Sequence, residues 1–180
     1  MYEYLGKLLI ANPMVLEPTH HKNVYMVIED TNTHMIGVCI NRPMQNGAVF
    51  GNVMASVGLD SDYNDIPLYF GGLEITNRVF ILHSLDWSGM TTKNLTDHIG
   101  VTTDVSILAA LSQNQGPEYF RPCVGYTRWL PGQIELELES KNSVWSITTA
   151  TTDICFGTDD SSIWTAALVE STKAQVNQWF

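Results

Sequence analysis

Asn41-Arg42-Pro43 sets a guanidinium at the close of an apolar run, Gly37 to Ile40. A guanidinium is planar and always charged, so it can hold a carboxylate or phosphate through two parallel hydrogen bonds. The same side chain could instead pair with acidic surface or cap a carbonyl. Gly71-Gly72 follows the β-like run Pro67 to Phe70. Two glycines let backbone N–H groups approach an anion, or they serve a tight turn with positive φ. With no G-x-G-x-x-G or P-loop around them, the anion reading draws little from this pair alone. The chain has only four arginines, and Arg42, Arg78 and Arg128 are the candidate site cations. Tyr126 and Trp129 could line such a site or fill the core, and Gln133 joins the candidate set.

His83-Ser84 invites a hydrolytic reading. A nucleophilic serine needs a base and oxyanion donors arranged in space, and adjacency in sequence supplies neither. No G-x-S-x-G elbow is present, so no catalytic residue is assigned and His83 stays a ligand-binding candidate. His20 and His21 are neighbours, without H-x-x-x-H or H-E-x-x-H spacing, so no metal ligand set is assigned. Asp159-Asp160 reads as helix capping, and Glu135, Glu137 and Glu139 as a solvated acidic face. No cofactor is expected. The working expectation is a binding protein without turnover.

Charge narrows the partners. Nine Lys and Arg stand against nineteen Asp and Glu, a formal net charge of −10. Nucleic-acid binding draws most of its affinity from cations that displace counterions from phosphates, so direct contact with DNA or RNA is not expected. Docking on an anionic membrane is opposed for the same reason. Cys39, Cys123 and Cys155 are far apart and form no C-x-x-C pair. They read as buried thiols of a reducing compartment. The first fifteen residues carry Glu3 and Lys7 and lack the pattern of a leader, and no run approaches a membrane span, so a cytoplasmic protein is expected.

The elements that must position these residues follow from periodicity. Leu5 to Ala11, Asn23 to Glu29 and Met35 to Asn41 read as strands, the last two joined as a hairpin through Asp30–His34. Pro67 to Phe70, Val79 to His83, Ile99 to Thr102, Cys123 to Trp129, Val144 to Thr151 and Ile154 to Phe156 are further β-like runs. A helical turn is expected near Val53 to Val57, and a helix over Val105 to Gln113 behind Asp104. Gln133 to Glu139 is ambiguous: Ile134, Leu136 and Leu138 alternate as in a strand, while Ile134 with Leu138 fits a helical turn. A final helix capped by Asp159 or Asp160 would bury a stripe of Trp164, Leu168, Thr172, Val176 and Trp179. Strands in pairs with helices between them irregularly give an α+β class and one compact domain.

Five segments carry a resemblance. Gly6–Pro13 (GKLLIANP) fits GKLLIA-x-P, and Gly37–Pro43 (GVCINRP) fits G-L-V-I-N-R-P. Tyr69–Gly72 fits the start of Y-F-G-G-P-V, and Arg78, Phe80, Leu82 and His83 fit R-x-F-x-L-H. Gly125, Tyr126, Trp129 and Pro131 to Glu135 fit G-Y-x-x-W-x-P-G-Q-L-E. In this order the set resembles the AlgH-like family. The resemblance implies a bifurcated sheet bent into a pseudo-barrel with flanking helices, residues 1–170 as the family domain, and 171–180 as an extension. It also implies a helix at Gln133 to Glu139 and a role in regulating transcription. The chain departs from the pattern at Leu73-Glu74 (usually Pro-Val), at Asp104 and Ser106 (order exchanged) and at Thr127-Arg128 (usually Ala-Gly).

Regulation by a chain this acidic is expected to run through a protein partner. The terminal run offers one means: Gln175, Trp179 and Phe180 resemble the short peptides that dock on replication sliding clamps through aromatic anchors. Folded back, the same aromatics would close the domain. Left exposed, they would favour a homo-oligomer.

Overall fold

The computed structural model describes residues 3–140 and 143–176, with the side chains of residues 75–77 and 175 also outside the description. Trp179, Phe180 and the side chain of Gln175 therefore lie outside the described residues. Among the described residues nine strands, β1 (Lys7–Ala11), β2 (Val24–Asp30), β3 (Met35–Cys39), β4 (Tyr69–Phe70), β5 (Glu74–Ser84), β6 (Lys93–Asn94), β7 (Ile99–Thr102), β8 (Phe120–Trp129) and β9 (Trp145–Thr149), form one curled sheet. The helices are α1 (Phe50–Ser56), α2 (Ser106–Ser112), α3 (Gln133–Glu139) and α4 (Asp160–Val176). Among the described residues no helix is long and apolar enough to cross a membrane.

The sheet order is β6-β7-β5-β8-β3-β2-β1-β9, with β4 set against β8. The fork lies at β8. Its last residues pair with β3 (Gly37↔Thr127 to Met35↔Trp129), while Cys123 and Val124 pair with β4 on one edge and β5 on the other. The segment Gly71–Leu73 therefore carries the chain across the face of β8, from one edge to the other. Two positions make the crossing possible: Gly125 takes φ +78°, and a Cβ on Gly72 would fall 2.1 Å from the Tyr126 carbonyl carbon.

β1 and β2 are nearly continuous apolar runs because both of their faces are covered. On one face Leu8, Ile10, Val24 and Met26 meet Ile163 and Ala167 of α4. On the other, Leu9, Tyr25 and Val27 meet Trp129, Trp145 and Ile134 of α3. A third cluster under α1 and α2 gathers Phe50, Met54, Ile81, Ile107 and Leu111.

Two segments differ from the reading of the sequence alone, and a third, ambiguous there, takes the helix that the family resemblance implies. Ile154 to Phe156 is not a strand but part of a π-helical turn, Asp153–Gly157, with Ile154 and Cys155 buried. Gln133 to Glu139 is helical: Ile134 is buried and Leu138 packs behind it, whereas Leu136 is 72% exposed. The buried stripe of α4 runs through Ile163, Ala167 and Ser171, so Trp164 and Leu168 flank it and Val176 faces solvent.

Candidate functional site

The fourth arginine organises the site. Arg121 lies on β8 with its side chain 7% exposed, inside the sheet. Its Nε donates to the Cys155 carbonyl at 2.9 Å, and its Nη1 donates to the Ile40 carbonyl at 2.8 Å and to Asp160 Oδ1 at 2.7 Å. The Tyr69 ring lies 4.2 Å from the guanidinium, and the Tyr69 hydroxyl donates to the same carboxylate at 3.1 Å. Burial pushes the Tyr69 phenol well above its usual range, so it remains a donor. One cation thus ties together the end of β3, the π-helical turn and the first turn of α4. The π geometry turns the Cys155 carbonyl toward Nε, a role the sequence pattern does not announce.

Above this node opens a cleft of about 570 Å³, lined by Leu16, Pro18, His21 to Asn23, Asn41, Arg42, Asp160, Ser161 and Trp164. Three elements make it: the 16–23 loop, the exit of β3 and the start of α4. Asn41 fixes the first two together, since its Oδ1 accepts the Val24 N–H at 2.9 Å and its Nδ2 donates to the Lys22 carbonyl at 2.8 Å. Trp164 is anchored by its indole N–H to the Ala11 carbonyl at 2.7 Å.

The charge of the cleft is set by which groups are already spent. Asp160 is neutralised by Arg121. Lys22 and Arg42 have no carboxylate partner among the described residues. Each instead rests on an aromatic ring, Lys22 Nζ 5.4 Å from Trp164 and the Arg42 guanidinium 5.5 Å from Phe70. Such stacking holds a cation in place without cancelling its charge. An acidic chain therefore carries a cleft lined by two cations that no carboxylate among the described residues pairs with.

Of the sequence candidates, Asn41 and Arg42 line this cleft. Gly71 and Gly72 are buried at the crossing over β8, and the Gly71 N–H donates to the Val124 carbonyl at 2.8 Å. Tyr126 packs on the sheet core beside Phe80, while Trp129 is buried with Tyr25 and Trp145 on the opposite face. Arg128 is exposed on β8 opposite Ile36, and Arg78 is exposed on β5. Gln133 accepts the Leu130 N–H at 3.0 Å and donates to Glu137 at 2.7 Å, closing the first turn of α3. Reading the sequence missed Lys22, Trp164 and Arg121. Arg121 was missed because the run read from the sequence, Cys123 to Trp129, starts three residues after the strand does, at Phe120, which leaves this charge outside it.

His83 is sealed away from solvent. Its Nδ1 donates to the Ser84 carbonyl at 2.8 Å, and Nε2 is a buried nitrogen without a partner among the described residues. Burial pushes its pKa below the ordinary value, with Ser84 and Asp86 opposing. The folded state thus binds fewer protons here than the unfolded chain. The contribution of His83 to stability is full above the unfolded value of about 6.5 and is lost as pH falls from there toward the lower folded value. The urea midpoint of the wild type should drop between about pH 7 and pH 5 more steeply than that of His83→Leu. Parallel pH profiles for the two proteins would refute this.

The three thiols are buried, and burial raises Cys39 to about 11, Cys155 to about 12 and Cys123 further. At neutral pH they are thiols, not thiolates. Among the described residues no group of three or more His, Cys, Asp or Glu is gathered to hold a metal ion.

Comparison with known proteins places this architecture. The AlgH-like family model matches residues 8–174. A UPF0301 protein of Sphingopyxis alaskensis is 30% identical over 169 residues, spanning 93% of this chain and 89% of that protein. Another, from Vibrio atlanticus, is 32% identical over 167 residues, covering 89% and 87%. The solution structure of AlgH from Pseudomonas aeruginosa superimposes with a TM-score of 0.76 at 27% identity, covering 94% of this chain and 90% of that one. A crystal structure from Corynebacterium diphtheriae shares the fold, with a TM-score of 0.70 at 19% identity over 89% of this chain and 83% of that one. With residues 8–174 of its 180 matched by the family model, this protein belongs to the AlgH-like family.

Proposed function

We propose that this cytoplasmic protein is a regulatory binding protein that acts through a protein partner rather than by direct contact with DNA, and that it receives the partner at the Lys22–Arg42 cleft. The carrying observation is the pair of cations, without carboxylate partners among the described residues, held on Trp164 and Phe70 in a chain of net charge −10. An interface needs a place where charge and apolar surface are both offered, and the cleft supplies both. The net charge argues against a duplex, whose phosphates would meet repulsion over most of the surface. The resemblance to AlgH-like proteins supplies the regulatory part of the reading.

The test compares the wild type with Arg42→Ala, as full chains, in partner capture from the native host and in DNA mobility shift at physiological salt. A partner held by the wild type and lost with Arg42→Ala is expected. Retention of duplex DNA tighter than about 1 μM would sink the reading.

Recognition of a small anion is a second reading, favoured by Arg42 standing beside Lys22 at the cleft. Under it, a carboxylate or phosphate ligand at a hundred times its dissociation constant stabilises the wild type by about 2.7 kcal/mol. Arg42→Ala should erase that thermal shift, and a shift that survives the substitution would exclude Arg42 from the site.

A further inference from the structure

The cleft does not end at Arg42. A second cavity of about 240 Å³, lined by Arg42, Pro43, Met44, Gln45, Asn46 and Phe70, adjoins it, and Arg42 lines both. Sharing Arg42, the two make a groove whose lining runs from the 16–23 loop to the 43–46 loop.

Two properties of this groove select an occupant. The first is charge: Lys22 and Arg42 have no carboxylate partner among the described residues, and Asp160 is taken by Arg121. The second is the apolar surface between the cations. Leu16 is 78% exposed, and Pro18, Trp164, Pro43, Met44 and Phe70 continue that surface along the groove. A bare phosphate or carboxylate would satisfy one cation and leave this surface wet. A nucleic acid would satisfy the cations but bring a long row of charges against a chain of net −10. A segment that carries a few carboxylates and apolar side chains together answers both.

We propose that the groove binds an extended acidic-apolar peptide segment of a protein partner, whose carboxylates pair with Lys22 and Arg42 while its apolar side chains cover Leu16, Trp164, Met44 and Phe70. This rests on the cleft reading above and names the partner's chemistry. An extended segment presents a side chain about every 3.3 Å, so acidic and apolar residues interleaved along it can meet the cations and the rings on which they rest. Both cations are held on rings before the peptide arrives, which lowers the ordering cost of binding.

The probe is a short fluorescein-labelled peptide alternating Asp or Glu with Leu or Phe, titrated into the full chain and mapped by amide chemical shifts. Controls are the same peptide with Asn and Gln for the acids, one with Ser for the apolar residues, and inorganic phosphate. The parent peptide is expected to bind and to shift Lys22, Arg42, Met44 and Trp164, while both altered peptides fail. Lys22→Glu and Arg42→Glu should each weaken binding about tenfold or more. A peptide carrying Lys in place of its acids should regain affinity for Arg42→Glu. Urea midpoints for both variants separate lost binding from lost folding, and Lys22 is exposed, so Lys22→Glu keeps the fold.

Phosphate or the Ser-substituted peptide binding as tightly as the parent at these residues would overturn the peptide assignment and leave the cleft reading intact. Parent binding that neither charge reversal weakens would overturn both. No binding by any probe would overturn the peptide assignment, and the Arg42→Ala capture comparison then decides the cleft reading separately.

Discussion

Replacing Arg121 with Met is expected to cost about 3–5 kcal/mol of folding stability, the scale for removing one partner of a buried ion pair. The loss has several parts. The carbonyls of Ile40 and Cys155 lose their donors, and each acceptor left dry carries a desolvation penalty of about 1–3 kcal/mol. Asp160 loses its counter-charge, but its side chain is 29% exposed, so water recovers part of that interaction. Methionine fills most of the volume, which keeps a cavity from confusing the measurement. Lys should not rescue: a single ammonium cannot reproduce the planar fork that reaches three acceptors while lying over Tyr69. Asp160→Asn, acting on the more exposed partner, should cost less than Arg121→Met. Urea unfolding of the three variants checks this order, and a fully stable Arg121→Met would mean that the node contributes no net stability. Because Arg121 also holds the first turn of α4, where Asp160, Ser161 and Trp164 line the cleft, a folded variant should additionally lose affinity for any ligand of that cleft.

How much of this was readable beforehand depends on whether the physical cause was local. The apolar runs of β1, β2 and β3 and the start of the final helix are set by periodicity and capping within a few residues, and they appear where the sequence puts them. β7 matches residue for residue. For Gln133 to Glu139 the alternation of Ile and Leu with Glu competed with the four-residue spacing of Ile134 and Leu138. Tertiary burial decided for the helix, because Trp129 and Trp145 on the sheet accept one stripe only. Ile154 to Phe156 is β-like by composition, yet its geometry answers to Arg121 more than thirty residues away in the chain. The same holds for the cleft. Asn41 and Arg42 stood out as a motif, but Lys22 and Trp164 join them only through the docking of α4 and the closure of the 16–23 loop. No local pattern encodes that meeting.

Gly72→Ala is the other change expected to be severe, at about 3 kcal/mol or more, the upper end for overpacking. The cause is space, not conformation: Gly72 is not among the glycines at positive φ. A Cβ there would lie 2.1 Å from the carbonyl carbon, 2.3 Å from the carbonyl oxygen of Tyr126 and 2.4 Å from the Thr127 amide nitrogen. Those atoms are backbone, so no rotamer change relieves the clash. Relief requires the chain to lift from β8, which breaks the pairing of β4 on one edge or of β5 on the other. The fork in the sheet would open at its root. Gly47→Ala is the matched control, because that glycine has φ +67° and nothing within 4 Å of a new Cβ, so it carries only the left-handed backbone cost of about 1–2 kcal/mol. Urea midpoints and soluble yield of the two variants separate the causes. If Gly72→Ala proved no worse than Gly47→Ala, the crossing would have slack that these distances deny. The larger loss at Gly72 would instead identify the pair Gly71-Gly72, read in the sequence as a possible anion cradle, as the point where the chain must pass within contact distance of its own backbone for the forked sheet to form.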